Sequence, residues 1–154
     1  MRMSRWIVLL VLLGLSVPSH AEWQVVHVSG QPGRCQLGTD PVQMFDGYGD
    51  TKLALLLVGD ALLVRTDSNV DLSFNDVGLK VDGKEFIAAD AVADEKDIVF
   101  RSELESIVDQ FIKGRRVTLY LRFWPTYPPT QLFQTQFSLI GFTKAYKEYQ
   151  TCRG

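Results

Sequence analysis

Between Arg116 and Trp124 the chain alternates without a break. Val117, Leu119, Leu121 and Phe123 fall on one side; Thr118, Tyr120, Arg122 and Trp124 fall on the other. Successive side chains of a strand point to opposite faces, so this period predicts a strand with one inward and one amphipathic face. Pro125, Pro128 and Pro129 interrupt it, because proline cannot donate to a sheet ladder. Phe133, Thr135, Phe137 and Leu139 then restart the alternation as a returning strand. Shorter apolar runs at Trp23 to Val28, Lys52 to Val58, Ala61 to Thr66, Leu79 to Val81, Glu85 to Ile87 and Ile98 to Phe100 predict further strands. Gly59-Asp60 and Asp82-Gly83 supply hairpin connections between neighbouring runs. Gly30 to Pro41, punctuated by Pro32, Gly33 and Gly38, reads as a loop carrying Cys35, and Asp46 to Asp50 reads as a turn.

In two places the period lengthens to that of a helix. Leu104, Ile107, Val108, Phe111 and Ile112 form one apolar face, and Ser102 with Glu105 predicts a capping box at its start. Gly114 is expected to end that helix in a left-handed conformation. Phe142, Ala145, Tyr146 and Tyr149 make the apolar face of a second helix. The sum is a mainly β fold, an antiparallel β-sandwich with two short α-helices.

The N-terminus carries a different pattern. Arg2 and Arg5 precede the twelve-residue apolar run Trp6 to Val17, which Pro18 breaks before the small residues of Ser19-His20-Ala21. This is the layout of a secretory signal peptide, residues 1–21, followed by a single exported domain over 22–154. A membrane-spanning helix needs about 20 apolar residues, so no stable membrane insertion is expected after cleavage. The compartment expected is periplasmic or secreted.

That division changes the arithmetic. The full chain of 154 residues has 16 basic and 18 acidic side chains; without Arg2 and Arg5, 14 basic residues face 18 acidic ones, a formal charge of −4. Such a balance speaks against nucleic acid as a partner. His20 leaves with the signal, so His27 is the remaining histidine. Cys35 and Cys152 are expected to form a disulfide in an oxidising compartment, with a metal site as the alternative for the pair.

Few chemical constellations remain. Asp67-Ser68-Asn69-Val70-Asp71 starts like a calcium loop, but Leu72 stands where the turn glycine belongs and Gly78 where the bidentate glutamate belongs. Asp90, Asp94, Glu95, Asp97, Glu103, Glu105 and Asp109 read as solvated charge around a helix N-terminus; paired carboxylates for acid–base work are the sharper reading. No G-x-S-x-G elbow is present, and Gly83-Lys84 lacks the upstream glycine of a phosphate loop. No catalytic residue, metal ligand or cofactor is assigned. The most suggestive surface is the segment Trp124 to Thr130, where prolines hold Trp124 and Tyr127 with Arg122 alongside. Stiff aromatic anchors lower the entropy cost of binding, so Arg122, Trp124 and Tyr127 are the candidate binding residues.

The C-terminal third carries a resemblance. Lys113-Gly114, the alternating strand after it, and Phe137-Ser138-Leu139-Ile140-Gly141-Phe142-Thr143-Lys144-Ala145 are similar to the end of the invasion-associated locus B family of small exported bacterial proteins. Val81-Asp82-Gly83 followed by Phe86 resembles a hairpin of the same family. The resemblance implies a periplasmic or secreted β-sandwich, with no reaction and no catalytic residue to carry over. The expected function is that of a non-enzymatic binding or accessory protein of the bacterial envelope, its partner an envelope or extracellular protein or glycan. A small envelope hydrolase using carboxylates near residues 90–109 is the alternative.

Overall fold

The structure is a computed structural model, and it describes residues 22–31, 33–125 and 131–154. The expected signal peptide, residues 1–21, lies outside them, as does Tyr127. In chain order the elements are β1 (Trp23–His27), β2 (Cys35–Thr39), β3 (Val42–Phe45), β4 (Asp50–Val58), β5 (Ala61–Thr66), β6 (Gly78–Val81), β7 (Ile87–Ala88), β8 (Ala91–Ala93) and β9 (Asp97–Phe100). Then come α1 (Leu104–Lys113), β10 (Arg116–Leu121), β11 (Phe133–Ser138) and α2 (Phe142–Arg153). A seven-stranded sheet has the order β1-β2-β4-β5-β9-β8, with β3 also on β4; a four-stranded sheet has the order β11-β10-β6-β7. Every strand pairing is antiparallel.

The expected mainly β fold with two helices is what forms. Leu53, Leu55 and Leu57 of the large sheet and Leu79, Val117, Leu119 and Leu121 of the small one are buried in a single hydrophobic cluster, giving a sandwich-like core. The alternation read from Val117 to Phe123 is the inward face of β10 and its extension. Both helices close one edge of this core. The Trp23 ring of β1 meets Phe111 of α1 and Phe142 of α2 edge-on at centroid distances of 6.0 and 4.9 Å, and Phe111 meets Phe142 at 5.2 Å. The indole Nε1–H of Trp23 donates to the Ser138 carbonyl at the end of β11, 2.9 Å away.

Cys35 and Cys152 are joined in a disulfide, with 6.2 Å between their Cα atoms. It ties the end of α2 to the start of β2 across 117 positions of sequence. In the chain-entropy account, a loop of that size is worth about 4–5 kcal/mol.

Three local expectations are corrected. Gly30 to Pro41 is not all loop: Cys35–Thr39 is a strand, with Cys35, Leu37 and Thr39 facing inward. Gly38 within it sits in a tight spot, since a Cβ there would lie 3.1 Å from Leu56 Cδ1 and 3.2 Å from the Leu55 carbonyl oxygen. Gly114 does not take the left-handed conformation; it is extended, at φ −92° and ψ 173°. Its smallness is needed for packing, because a Cβ would sit 2.6 Å from Val81 Cγ1 and 2.7 Å from the Gln110 carbonyl oxygen.

The capping box at Ser102 is also absent. Helix α1 begins at Leu104 with no side-chain cap from Glu103. Asp90, in the loop between β7 and β8, instead anchors the segment that leads into the helix. Its carboxylate accepts from the Arg101 and Ser102 backbone N–H groups at 2.5 and 2.9 Å and from the Ser102 hydroxyl at 2.5 Å. The Ser102 hydroxyl is spent on this charged acceptor, so it is not free to bond the first helical turn. The Ser102 hydroxyl, followed by the two N–H donors, holds the Asp90 carboxyl below its ordinary pKa.

Two measurements check this account. Phe142→Ala removes the ring shared by Trp23, Phe111 and α2, and is expected to cost about 3–5 kcal/mol in urea unfolding; a cost below about 1 kcal/mol would contradict the packing role. Asp90→Asn is expected to cost about 1 kcal/mol at neutral pH. A depressed carboxylate pKa contributes stability that is full above the unfolded value and lost as pH falls through the folded one. The difference between wild type and Asp90→Asn is therefore expected to shrink as pH drops below about 3.9. A difference independent of pH would show that the charge plays no part.

Candidate functional site

Beyond Leu121, where β10 ends, residues 122–124 run beside 69–71. The Asp71 N–H donates to the Arg122 carbonyl at 2.8 Å, the Trp124 N–H donates to the Asn69 carbonyl at 2.9 Å, and Val70 bridges Phe123 between them. This pairing preserves the alternation of β10: Phe123 is buried, and Trp124 emerges with 52% of its surface exposed. Trp124 is thus held by backbone pairing on a buried base.

Arg122 is committed elsewhere. Its Nε and Nη2 donate to the two carboxylate oxygens of Asp76 at 2.8 and 2.6 Å, and its guanidinium lies 4.3 Å from the centroid of the Phe74 ring. The hydrogen bond from Arg122 is the main cause holding the Asp76 carboxyl below its usual range, and Asp76 in turn raises the pKa of Arg122. A planar fork bound at both teeth and stacked on a ring is a brace for the segment that carries Trp124.

The same end of the molecule presents two aromatics that the alternation did not single out. Phe45 at the end of β3 is 55% exposed and Tyr48 in the following turn is 66% exposed. Phe45 contacts Phe133 at a centroid distance of 6.4 Å, and Phe133 contacts Phe123 at 5.9 Å. Asp46 fixes the turn. One carboxylate oxygen accepts from the Tyr48 and Gly49 N–H groups at 2.8 Å each, and the other accepts from the Ser68 hydroxyl at 2.6 Å. Burial opposes ionisation of Asp46, but the Ser68 hydroxyl and the two N–H groups outweigh it and leave its pKa lowered. Ser68 adjoins Asn69, whose carbonyl holds Trp124. The signal in the sequence was a pair of aromatics flanking Asp46-Gly47, a turn that has no inward position for them.

Elsewhere the candidate chemistry disperses. Asp97 pairs with Arg65 at 3.1 Å, Asp109 with Lys113 at 2.7 Å, and Glu95 accepts from Asn69 at 3.4 Å. Glu105 lines a cleft of about 490 Å3 with Asp60, whose carboxylate is 3.3 Å from Arg101. The calcium-like loop points its groups apart: Ser68 binds Asp46, Asn69 binds Glu95, and buried Asp71 accepts from the Ser73 N–H at 2.9 Å. Among the described residues, His27, Cys35 and Cys152 bring ligand-type atoms within 4.8 Å of one another.

No protein-family profile matches the chain, and no curated protein does either. A solved structure does match: invasion-associated protein B from Bartonella henselae. Its TM-score is 0.54 at 16% identity, and the alignment covers 86% of this chain and 94% of that one. What the two share is the fold. The likeness covers far more of the chain than the C-terminal third that carried the resemblance in the sequence.

Arg122→Lys keeps the charge but loses the two-toothed pairing and the stack on Phe74. It is expected to destabilise the protein by about 1 kcal/mol in urea unfolding. Coincident unfolding curves for variant and wild type would reject the bracing role.

Proposed function

We propose that the chain is a non-enzymatic, exported binding or accessory protein of the bacterial envelope, periplasmic or secreted, that engages a protein partner through the Trp124 end. The observation that carries the reading is the group of exposed aromatics, Phe45, Tyr48 and Trp124, mounted on backbone and carboxylate hydrogen bonds. Aromatic anchors whose conformation is already fixed give the most affinity per side chain in protein interfaces. A glycan site would need polar side chains converging beside the stacking ring. Here both oxygens of Asp46 and both teeth of Arg122 are already engaged within the chain. A protein surface is therefore favoured over a sugar.

Export rests on the N-terminal pattern of Arg2, Arg5, the apolar run and Ser19-His20-Ala21, and it is supported by the disulfide. No helix among the described residues is long and apolar enough to cross a membrane. The fold shared with a protein named for its association with invasion is compatible with an accessory role and assigns no reaction.

The test is crosslinking in the native envelope, followed by binding measurements with the captured protein. Trp124→Ala is expected to weaken that binding at least tenfold, with Tyr127→Ala weakening it further, while the unfolding midpoint stays within error. Unchanged affinity in a folded Trp124→Ala variant would overturn the reading. Binding to cell-wall glycan fragments that depends on Trp124 would replace the protein partner with a sugar.

A further inference from the structure

The corner opposite in character to the aromatic end is built from three elements distant in sequence. His27 and Cys35 are register partners across β1 and β2, and Cys152 arrives near the end of α2. His27 Nδ1 lies 3.7 Å from the Cys35 sulfur and 3.3 Å from the Cys152 sulfur. His27 is exposed, Cys152 is half-buried, and Cys35 is buried. A cleft of about 450 Å3 opens beside the sulfurs, lined by Cys35, Arg34, Arg153 and Val58 among others.

These separations have a specific chemical meaning. Zinc binds thiolate sulfur at about 2.3 Å and imidazole nitrogen at about 2.0 Å, so a tetrahedral site has nitrogen–sulfur edges of about 3.5 Å. The two nitrogen–sulfur distances here, 3.7 and 3.3 Å, bracket that value. Those distances belong to the bonded pair; opening the bond moves both sulfurs, and a Cα separation of 6.2 Å lets side-chain torsions respace them around an ion beside His27.

We propose that reduction of the Cys35–Cys152 disulfide turns this corner into a site for one zinc ion, held by the two sulfurs and His27 Nδ1, with water completing the fourth position. A dithiol reductant supplies two electrons and two protons to the sulfur–sulfur bond and is itself oxidised to a disulfide. Zinc then replaces the two thiol protons, which pass to water. Two thiolates and a neutral imidazole balance the charge of the ion. Sulfur ligands select zinc over calcium or magnesium. Arg34 and Arg153 on the cleft wall add positive charge that favours thiolate over thiol. Disulfide and ion compete for the same two sulfurs, so each state excludes the other.

Cobalt(II), with tetrahedral sites that absorb visibly, is the probe. It is titrated anaerobically into the full chain, oxidised and reduced, with circular dichroism recorded on the same samples. The reduced chain is expected to bind one equivalent, with an intense thiolate-to-cobalt charge-transfer band that zinc abolishes by displacement; the oxidised chain shows no such band. His27→Ala, at an exposed position, is expected to weaken cobalt binding at least tenfold and to alter the ligand-field bands. Zinc is expected to raise the Tm of the reduced chain and leave that of the oxidised chain unchanged. Absence of the charge-transfer band after reduction, or equal affinity in His27→Ala, would overturn the proposal. If reduction alone unfolds the chain, zinc is expected to restore the native dichroism in wild type more readily than in His27→Ala; failure to do so would overturn it equally.

Discussion

The buried indole of Trp23 is the contact on which the architecture turns. A buried N–H must find an acceptor, and this one finds the Ser138 carbonyl, which fixes the ring's direction as well as its depth. With the ring so oriented, its faces and edges meet Phe111 and Phe142, one from each helix. One side chain on an edge strand of the large sheet therefore positions the last strand of the small sheet and both helices. The disulfide acts on the same assembly by a different physics. It adds little contact area, but it removes the freedom of α2 to leave β2 in the unfolded chain. Packing determines where α2 sits, and the covalent link limits how far it strays.

Elements governed by their own side-chain period were readable. The inward face of β10 and the apolar face of α2 lie where alternation and helical spacing put them, and α1 buries Ile107 and Phe111 of its expected face while Ile112 stays exposed, because burial of a face is a local pattern with a global cause. Features decided by distant partners were not. Cys35–Thr39 looks like loop by its glycine and flanking prolines, yet it pairs as a strand between β1 and β4, and Gly38 lies in tight quarters against Leu55 and Leu56 of β4. The Ser102 hydroxyl is drawn to Asp90, twelve positions earlier, where no local motif points. Gly114 was read as a conformational device and proves to be a spacing device against Val81.

The candidate surface divides in the same way. Trp124 is where the alternation placed it, on the outward face, and its exposure follows from Phe123 turning inward. Arg122 has the same parity but not the same fate, since Asp76 and Phe74 reach it from the segment before β6. Parity tells which face a side chain leaves from; it does not tell what waits there. Phe45 and Tyr48 stand apart from Trp124 in sequence, and it is the Asp46–Ser68 hydrogen bond and the Phe45–Phe133–Phe123 ring contacts that bring the two segments together.

That aromatic end is a consequence of unequal strand lengths. β4 has nine residues, while β2 and β3 have five and four, and both lie along the same edge of β4. Between them the ladder breaks at Asp40-Pro41, which would strand the Leu55 N–H in the middle of the core sheet. The Thr39 hydroxyl accepts that donor at 3.0 Å, so the break costs no buried hydrogen bond. With the gap closed, the chain runs on in the same direction along the first half of β4, and it reverses only at the turn after β3, which emerges at the sheet's end with Phe45 before it and Tyr48 within it. A small hydroxyl inside the frame thereby permits the exposed aromatics outside it, and the shape of that end is inherited from how the large sheet completes its hydrogen bonds.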